Sequence, residues 1–275
     1  MTVKAIDQLV NLEAYPIADR ASPAHQVLVE EMGRIYARDG VCLMPGFLTD
    51  AAVNMMAAEA ENASVDAYHC DETHNAYLEL DDTSLPADHP RRQRQFTRLD
   101  VVGCDQLIPD GALWSLYGWD PLRDFIGAVL DYEDFHRFAD PIGAMTINVM
   151  NEGDEHGWHY DEAMFTVSVM LQAPDAGGQF EFVRGLRDSG DDNYDRLGKV
   201  LAGTAKDTTT IPITPGALLL FGGRNLLHRV TGVEGSRTRY ITTLCYRDRP
   251  GVTNSPAVRE LFYGRREPLT PIAAH

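Results

Sequence analysis

Basic residues are scarce in this 275-residue chain: 24 Lys+Arg stand against 41 Asp+Glu, a net charge of -17 at pH 7. Affinity for phosphate backbones and for anionic lipid surfaces comes largely from Lys and Arg, so this balance weighs against nucleic acid and membrane as partners. Cysteine is sparse as well. Cys42, Cys70, Cys104 and Cys245 are scattered without a C-x-x-C pair, which fits reduced structural thiols in a cytoplasm better than a disulfide framework. No apolar run approaches the roughly 18 to 20 residues that span a bilayer, and the opening MTVKAIDQLVNLEAYP lacks the basic and apolar regions of a secretory signal. A cytoplasmic location is therefore expected. With 44% apolar residues the chain can build a sizeable core, and one large domain is expected.

The character of the sequence changes along its length. Ser22-Pro23 reads as an N-cap with proline at the first helical position, apolar residues recur at Val27, Met32, Ile35 and Tyr36, and Gly40 stops the run. A second helix is expected after Thr49. Residues 63 to 110 are polar and proline-punctuated, and read as an irregular excursion with short strands or turns. Asp120-Pro121 opens an amphipathic helix with Leu122, Phe125, Ile126, Val129 and Leu130 on one stripe. After Asp140 come the β-rich segments MTINVM, FTVSVMLQ, FEFV, TTTIPI, ALLLF and RYITTLCY, and six such segments at short spacing suggest an antiparallel sandwich or barrel. An acidic loop, RDSGDDNYD, runs into a brief helix with Leu197, Val200 and Leu201. The expected division is one domain over 1–275, with helices and an irregular cover over 1–110, a β core with a support helix over 111–255 and a tail over 256–275.

His159-Tyr160-Asp161 precedes the strand FTVSVMLQ, and the period of two in extended chain puts His159 and Asp161 on one face. The triplet alone is weak evidence, and His69-Cys70-Asp71 repeats its form. What distinguishes the first triplet is His228, at the end of an apolar strand that begins after the Pro215-Gly216 turn. Two imidazoles and one carboxylate on a β scaffold make the facial triad of non-haem Fe(II) oxygenases, which leaves three coordination positions open. His69 lacks a downstream partner and reads as a surface or packing residue. On the strand after GVEGS lie Arg237 and Arg239, either of which could hold a carboxylate through two parallel hydrogen bonds.

The pattern His159-x-Asp161 followed by His228-x10-Arg239 resembles the iron(II)/2-oxoglutarate-dependent oxygenases. GWHYDEAMFTVSVMLQAPDAGGQFEFV, DNYDRLGKVLAG, PGALLLFGGRNLLHRVTGVEGSRTRYITTLCYRDRPG and the late Tyr263-Gly264-Arg265 are similar to a branch that contains free-amino-acid hydroxylases and halogenases. The resemblance implies a mainly β fold with flanking helices (α+β), a double-stranded β-helix or jelly roll. It also implies that His159, Asp161 and His228 ligate Fe(II) and act in catalysis, with 2-oxoglutarate and O2 as cosubstrates and succinate and CO2 as products. Arg239 would pair with the distal carboxylate of 2-oxoglutarate, and Arg237 is the reserve. Halogenating members carry a small residue at the position of Asp161, so the carboxylate here implies hydroxylation.

For the substrate, a small molecule, the candidates are His156, Glu162 and Trp158 around the triplet, and Arg94 and Arg98 in RRQRQFTRLD. Ion pairing with Asp81, Asp82 or Asp100 is the competing role for the two arginines. Arg98 with Glu162 would suit a zwitterion, so an amino acid or an amino-acid-like metabolite is expected. Desaturation or cyclisation by the same machinery is one rival. A cupin-like protein that binds metal and ligand without redox chemistry is another, and it would have no need of Arg239.

Overall fold

The computed structural model describes residues 6–188 and 190–269. Six α-helices flank one large antiparallel sheet: α1 (Pro23–Asp39), α2 (Asp50–Ser64), α3 (Ala112–Gly118), α4 (Asp120–Val129), α5 (Tyr194–Leu201) and α6 (Pro256–Tyr263). Local chemistry sets their ends. Ser22 accepts a hydrogen bond from the His25 amide and Thr49 from the Ala52 amide, which satisfies amides that a helix start leaves unpaired. Gly40 closes α1 in the left-handed conformation with φ 69°, where glycine carries no Cβ penalty. Val27, expected on the apolar stripe of α1, is instead 62% exposed, and α1 buries His25 and Met32.

The sheet has eleven strands: β1 (Val41–Met44), β2 (Tyr68–Asn75), β3 (Arg94–Gly103), β4 (Met145–Met150), β5 (Glu155–His159), β6 (Thr166–Gln172), β7 (Phe180–Val183), β8 (Thr209–Ile211), β9 (Leu218–Phe221), β10 (Leu227–Val230) and β11 (Arg239–Leu244). Their order is β1-β9-β6-β11-β4-β3-β5-β10-β7-β8, with β2 on the other edge of β3. Strand β3 is the hinge of this arrangement. Its residues 100–103 pair with β4 and Thr97 and Arg98 pair with β5, so one long strand joins the two halves of the curled sheet.

Strands β2 and β3 pair without a break from Tyr68↔Val101 to Asn75↔Arg94, where the sequence suggested an irregular excursion. The reason is that β2 buries only Cys70 and Asn75, so it lacks the alternation that marks a half-buried strand. The expected boundaries shift accordingly: β1 and β3 belong to the main sheet, which is not confined to 111–255, and the tail carries α6. Residues 270–275 of that tail lie outside the described residues.

On β4, β6 and β11 the period of two separates two environments. Met145, Ile147 and Val149, with Val167, Val169 and Leu171, face a core shared with Leu122, Phe125 and Ile126 of α4. The alternate residues, Thr146, Asn148, Thr166, Ser168, Arg239, Ile241 and Thr243, line a cavity of about 250 Å³. Among the described residues no helix is long and apolar enough to cross a membrane.

Candidate active site

His159 ends β5 and His228 lies directly across from it on β10. One cross-strand pair further, Val230 faces His156, so two residues of β5, Gly157 and Trp158, stand against the single Arg229 of β10. Such a bulge re-aims side chains, and here both His156 and His159 reach the cavity. Gly157 makes the bulge compatible with β3, because a Cβ there would stand 2.5 Å from the Phe96 carbonyl oxygen.

Asp161 Oδ1 lies 3.4 Å from His159 Nε2 and 3.5 Å from His228 Nε2. The other ring nitrogens are fixed by backbone: His159 Nδ1 lies 2.8 Å from the Gly157 carbonyl and His228 Nδ1 2.8 Å from the Leu226 carbonyl. A carbonyl accepts only, so each Nδ1 carries a proton and each Nε2 is the ring nitrogen that faces Asp161. Among the described residues these three form the group able to hold a metal ion. An octahedral ion with bonds near 2.1 Å has ligand-to-ligand edges of roughly 3 Å, so the donor set fits a divalent cation with little movement.

The electrostatics agree with that chemistry. Burial pushes the His159 pKa down, and His228 adds to the effect, which keeps the imidazole neutral as a ligand. Burial acts to raise Asp161, but the neighbouring His228 and His159 outweigh it and hold the carboxyl well below its usual range. Thr166 Oγ1 donates to Asp161 Oδ2 at 2.5 Å. His156 stacks on His159 with ring centroids 3.9 Å apart.

Arg239 also lines this cavity and is 1% exposed. Its Nε donates to the Gly178 carbonyl at 3.1 Å and its Nη1 lies 3.5 Å from Met150 Sδ; among the described residues no carboxylate pairs with it. Burial lowers its pKa to about 10. A desolvated guanidinium without a counter-ion costs free energy unless an anion completes it. Arg237 is exposed and precedes β11, and its backbone amide donates to Asp175; it does not line the cavity.

Of the substrate candidates, His156 and Glu162 line the cavity. The other three do not. Arg98 Nε donates to Asp154 at 2.8 Å and its Nη2 to the Gly153 carbonyl at 2.9 Å, while Arg94 pairs with Asp81 at 3.1 Å. Trp158 is buried in a separate cluster with Tyr160 and Leu227, under the guanidinium of Arg229. Residues missed in the sequence include Thr166, Asn148, Arg247 and Gly223. Parity continued past the end of β11 was the available signal for Arg247, because residues 239, 241, 243, 245 and 247 all line the cavity.

A family model described as halogenase D matches residues 24–260. No curated protein matches the chain. Among solved structures, the epimerase SnoN from nogalamycin biosynthesis, in complex with Fe3+, alpha ketoglutarate and nogalamycin RO, is similar at a TM-score of 0.59 and 16% identity, over 90% of this chain and 97% of that one. The carbocyclase SnoK from the same biosynthesis has a TM-score of 0.59 at 16% identity, over 90% and 96%. HygX from Streptomyces hygroscopicus, with nickel and 2-oxoglutarate bound, has a TM-score of 0.54 at 14% identity, over 78% and 85%. At these identities the likeness is one of fold, the double-stranded β-helix.

Proposed function

Because the chain belongs to the halogenase D family, within the 2-oxoglutarate-dependent oxygenases, we propose that it hydroxylates an unactivated C–H bond of a small molecule, with release of succinate and CO2. Fold alone does not carry function; the reading rests on one observation. A complete His159, Asp161, His228 triad shares a cavity with the buried Arg239, which no carboxylate among the described residues pairs with.

The family resemblance associates halogenation with a small residue in place of Asp161. Here the carboxylate faces both imidazoles, which favours hydroxylation over halogenation. A non-redox, cupin-like role would leave the cost of burying Arg239 without a return.

Fe(II) and 2-oxoglutarate, when bound, would activate O2, which is the oxidant: one oxygen atom goes to succinate and one to the product. The chain's residues do the rest. His159, Asp161 and His228 hold the metal, and the two backbone carbonyls fix the imidazole tautomers. Arg239 receives the distal carboxylate of 2-oxoglutarate and so sets the direction of its keto-acid end. Phe180 and Phe221 flank His228, with centroids 5.6 and 4.8 Å away, and keep that side of the site dry. The substrate lies against His156 and Glu162. An amino acid or an amino-acid-like metabolite suits the Glu162 carboxylate, which has no ionic partner among the described residues.

The test is anaerobic addition of Fe(II) and 2-oxoglutarate, read by the visible charge-transfer band of the chelate, then succinate release on admitting oxygen with amino acids. A band in the parent protein that is lost in Arg239→Leu is expected. Absence of any band with metal bound would overturn the reading.

A further inference from the structure

Three arginines outside the cavity lining are matched to acids. Arg137 pairs with Asp120 at 2.9 Å, Arg259 with the fully buried Asp140 at 2.8 Å, and Arg265 with the fully buried Asp105 at 2.6 Å. The two arginines that do line the cavity, Arg239 and Arg247, have no acid partner among the described residues. Arg247 is half-buried and lies 4.0 Å above the Phe138 ring. Its one hydrogen bond among the described residues runs from Nη1 to its neighbour's carbonyl, Tyr246 O, at 2.9 Å; no carboxylate among them pairs with it. In a chain with 41 Asp+Glu against 24 Lys+Arg, a cavity guanidinium that meets no acid is a conspicuous gap.

Arg239 and Arg247 stand at opposite ends of one line of residues. The alternate positions between them, Ile241, Thr243 and Cys245, also face the cavity. Strand β11 keeps residues 239–244 extended, a rise of about 16 Å, so these are two anion positions and not two halves of one. His159, Asp161 and His228 of the triad line the same cavity as this row of residues. The two positions differ in access. Arg239 is sealed, as suits a cosubstrate that enters first. Arg247 keeps partial exposure beside Asn254 and Phe262, as suits a second ligand that arrives later.

Resting on the oxygenase reading above, we propose that Arg247 anchors a carboxylate of the substrate. The substrate is thus an organic acid, amino acids included, whose acid group docks on Arg247 and whose carbon chain extends toward the triad. Stacking on Phe138 presets the plane of the guanidinium for bidentate contact.

The experiment uses the Fe(II) and 2-oxoglutarate complex under anaerobic conditions. It follows the shift of the charge-transfer band as proteinogenic amino acids and simple carboxylic acids are added, with the carboxamide of each responder as the paired probe. Acids that shift the band while their amides do not, with the acid response weakened about 10- to 100-fold in Arg247→Met, support the proposal. The band in that variant without substrate should match the parent's, and Arg247→Lys should recover part of the response. Equal response to acid and amide, or an Arg247→Met variant that responds as the parent does, overturns it. So does loss of the band itself in Arg247→Met, which would give Arg247 to the cosubstrate. If no acid shifts the band in the parent, this inference fails and the oxygenase reading stands; if the parent shows no band, the oxygenase reading fails.

Discussion

Thr166 Oγ1 donates to Asp161 Oδ2 at 2.5 Å, which leaves Oδ1 as the atom that faces both His159 and His228. Asp161 follows the end of β5 in a loop, whereas Thr166 opens β6, a strand paired with β9 and β11. The hydroxyl thus lends the rigidity of the sheet to a ligand that the loop alone would leave loose. Thr166→Val should lower Fe(II) affinity about 10-fold, the usual scale for the partner of a metal ligand, and Thr166→Ser should restore it. Anaerobic titration with Fe(II), or with Mn(II) as a redox-silent substitute, measures this directly.

Gly223 packs on the other side of the same carboxylate. Its carbonyl accepts from the Asp161 amide at 3.0 Å, and a Cβ at Gly223 would stand 2.7 Å from Asp161 Cβ and Cγ and closer still to Oδ2. Gly223→Ala should therefore displace Asp161, weaken metal binding and destabilise the metal-free protein. In an Asp161→Gly background the same alanine meets no carboxylate, so its stability cost should largely vanish. A double-mutant cycle on melting free energies should give a coupling of about 1–3 kcal/mol; an additive result would show that the side chain is not what crowds this glycine.

The same physics explains what could be read in the chain beforehand and what could not. His159 and Asp161 were legible because two-residue spacing in extended chain means one face, and His228 because an apolar strand led to it. Arg239 and Arg237 share that parity, and only the start of β11 at Arg239 separates a buried residue from a rim one. Arg98 takes the ion-pair role that competed with substrate binding, but its partner is Asp154, 56 residues away and beyond any local pattern, instead of Asp81, Asp82 or Asp100. In residues 63 to 110, where only short strands or turns were expected, the length of β2 and its unbroken pairing with β3 were hidden for a different reason. Their pairing is complete, but β2 buries so little that hydrophobic periodicity carries no trace of it. The bulge that aims His156 at the cavity depends on register between distant strands, which no single stretch encodes.

Arg239 opposes stability to function. It is fully buried and has no carboxylate among the described residues, so the metal-free protein carries the cost of a desolvated charge. Arg239→Met keeps the volume and removes the charge. Its melting free energy without cosubstrate should be unchanged or higher by roughly 1–2 kcal/mol, while affinity for 2-oxoglutarate falls about 100-fold or more. Calorimetric titration with 2-oxoglutarate alongside thermal melts separates the two effects. A variant that melts much lower would show that the guanidinium is held for structure.

His74 gives the fold an acid limit. Its Nδ1 lies 2.9 Å from the Asn75 carbonyl and its Nε2 2.7 Å from Thr97 Oγ1, while Thr97 Oγ1 also accepts from the Gly157 amide at 3.1 Å. The consistent proton placement has Nδ1 donating and Nε2 accepting from the Thr97 hydroxyl, which requires a neutral ring. Burial is the main cause that lowers the His74 pKa to about 4 from 6.5. The unfolded chain therefore takes up this proton first as pH falls, so stability is fully present above about pH 6.5 and declines as pH drops toward 4 and through it. A shift of that size corresponds to about 3 kcal/mol at the acid extreme, and partial exposure of the ring reduces it to roughly 1–2 kcal/mol. Melting curves of the metal-free protein between pH 7.5 and 4 should show this slope, and His74→Gln, which has no proton to gain, should flatten part of it. Parallel curves for the two proteins across that range would mean that His74 is not the group responsible.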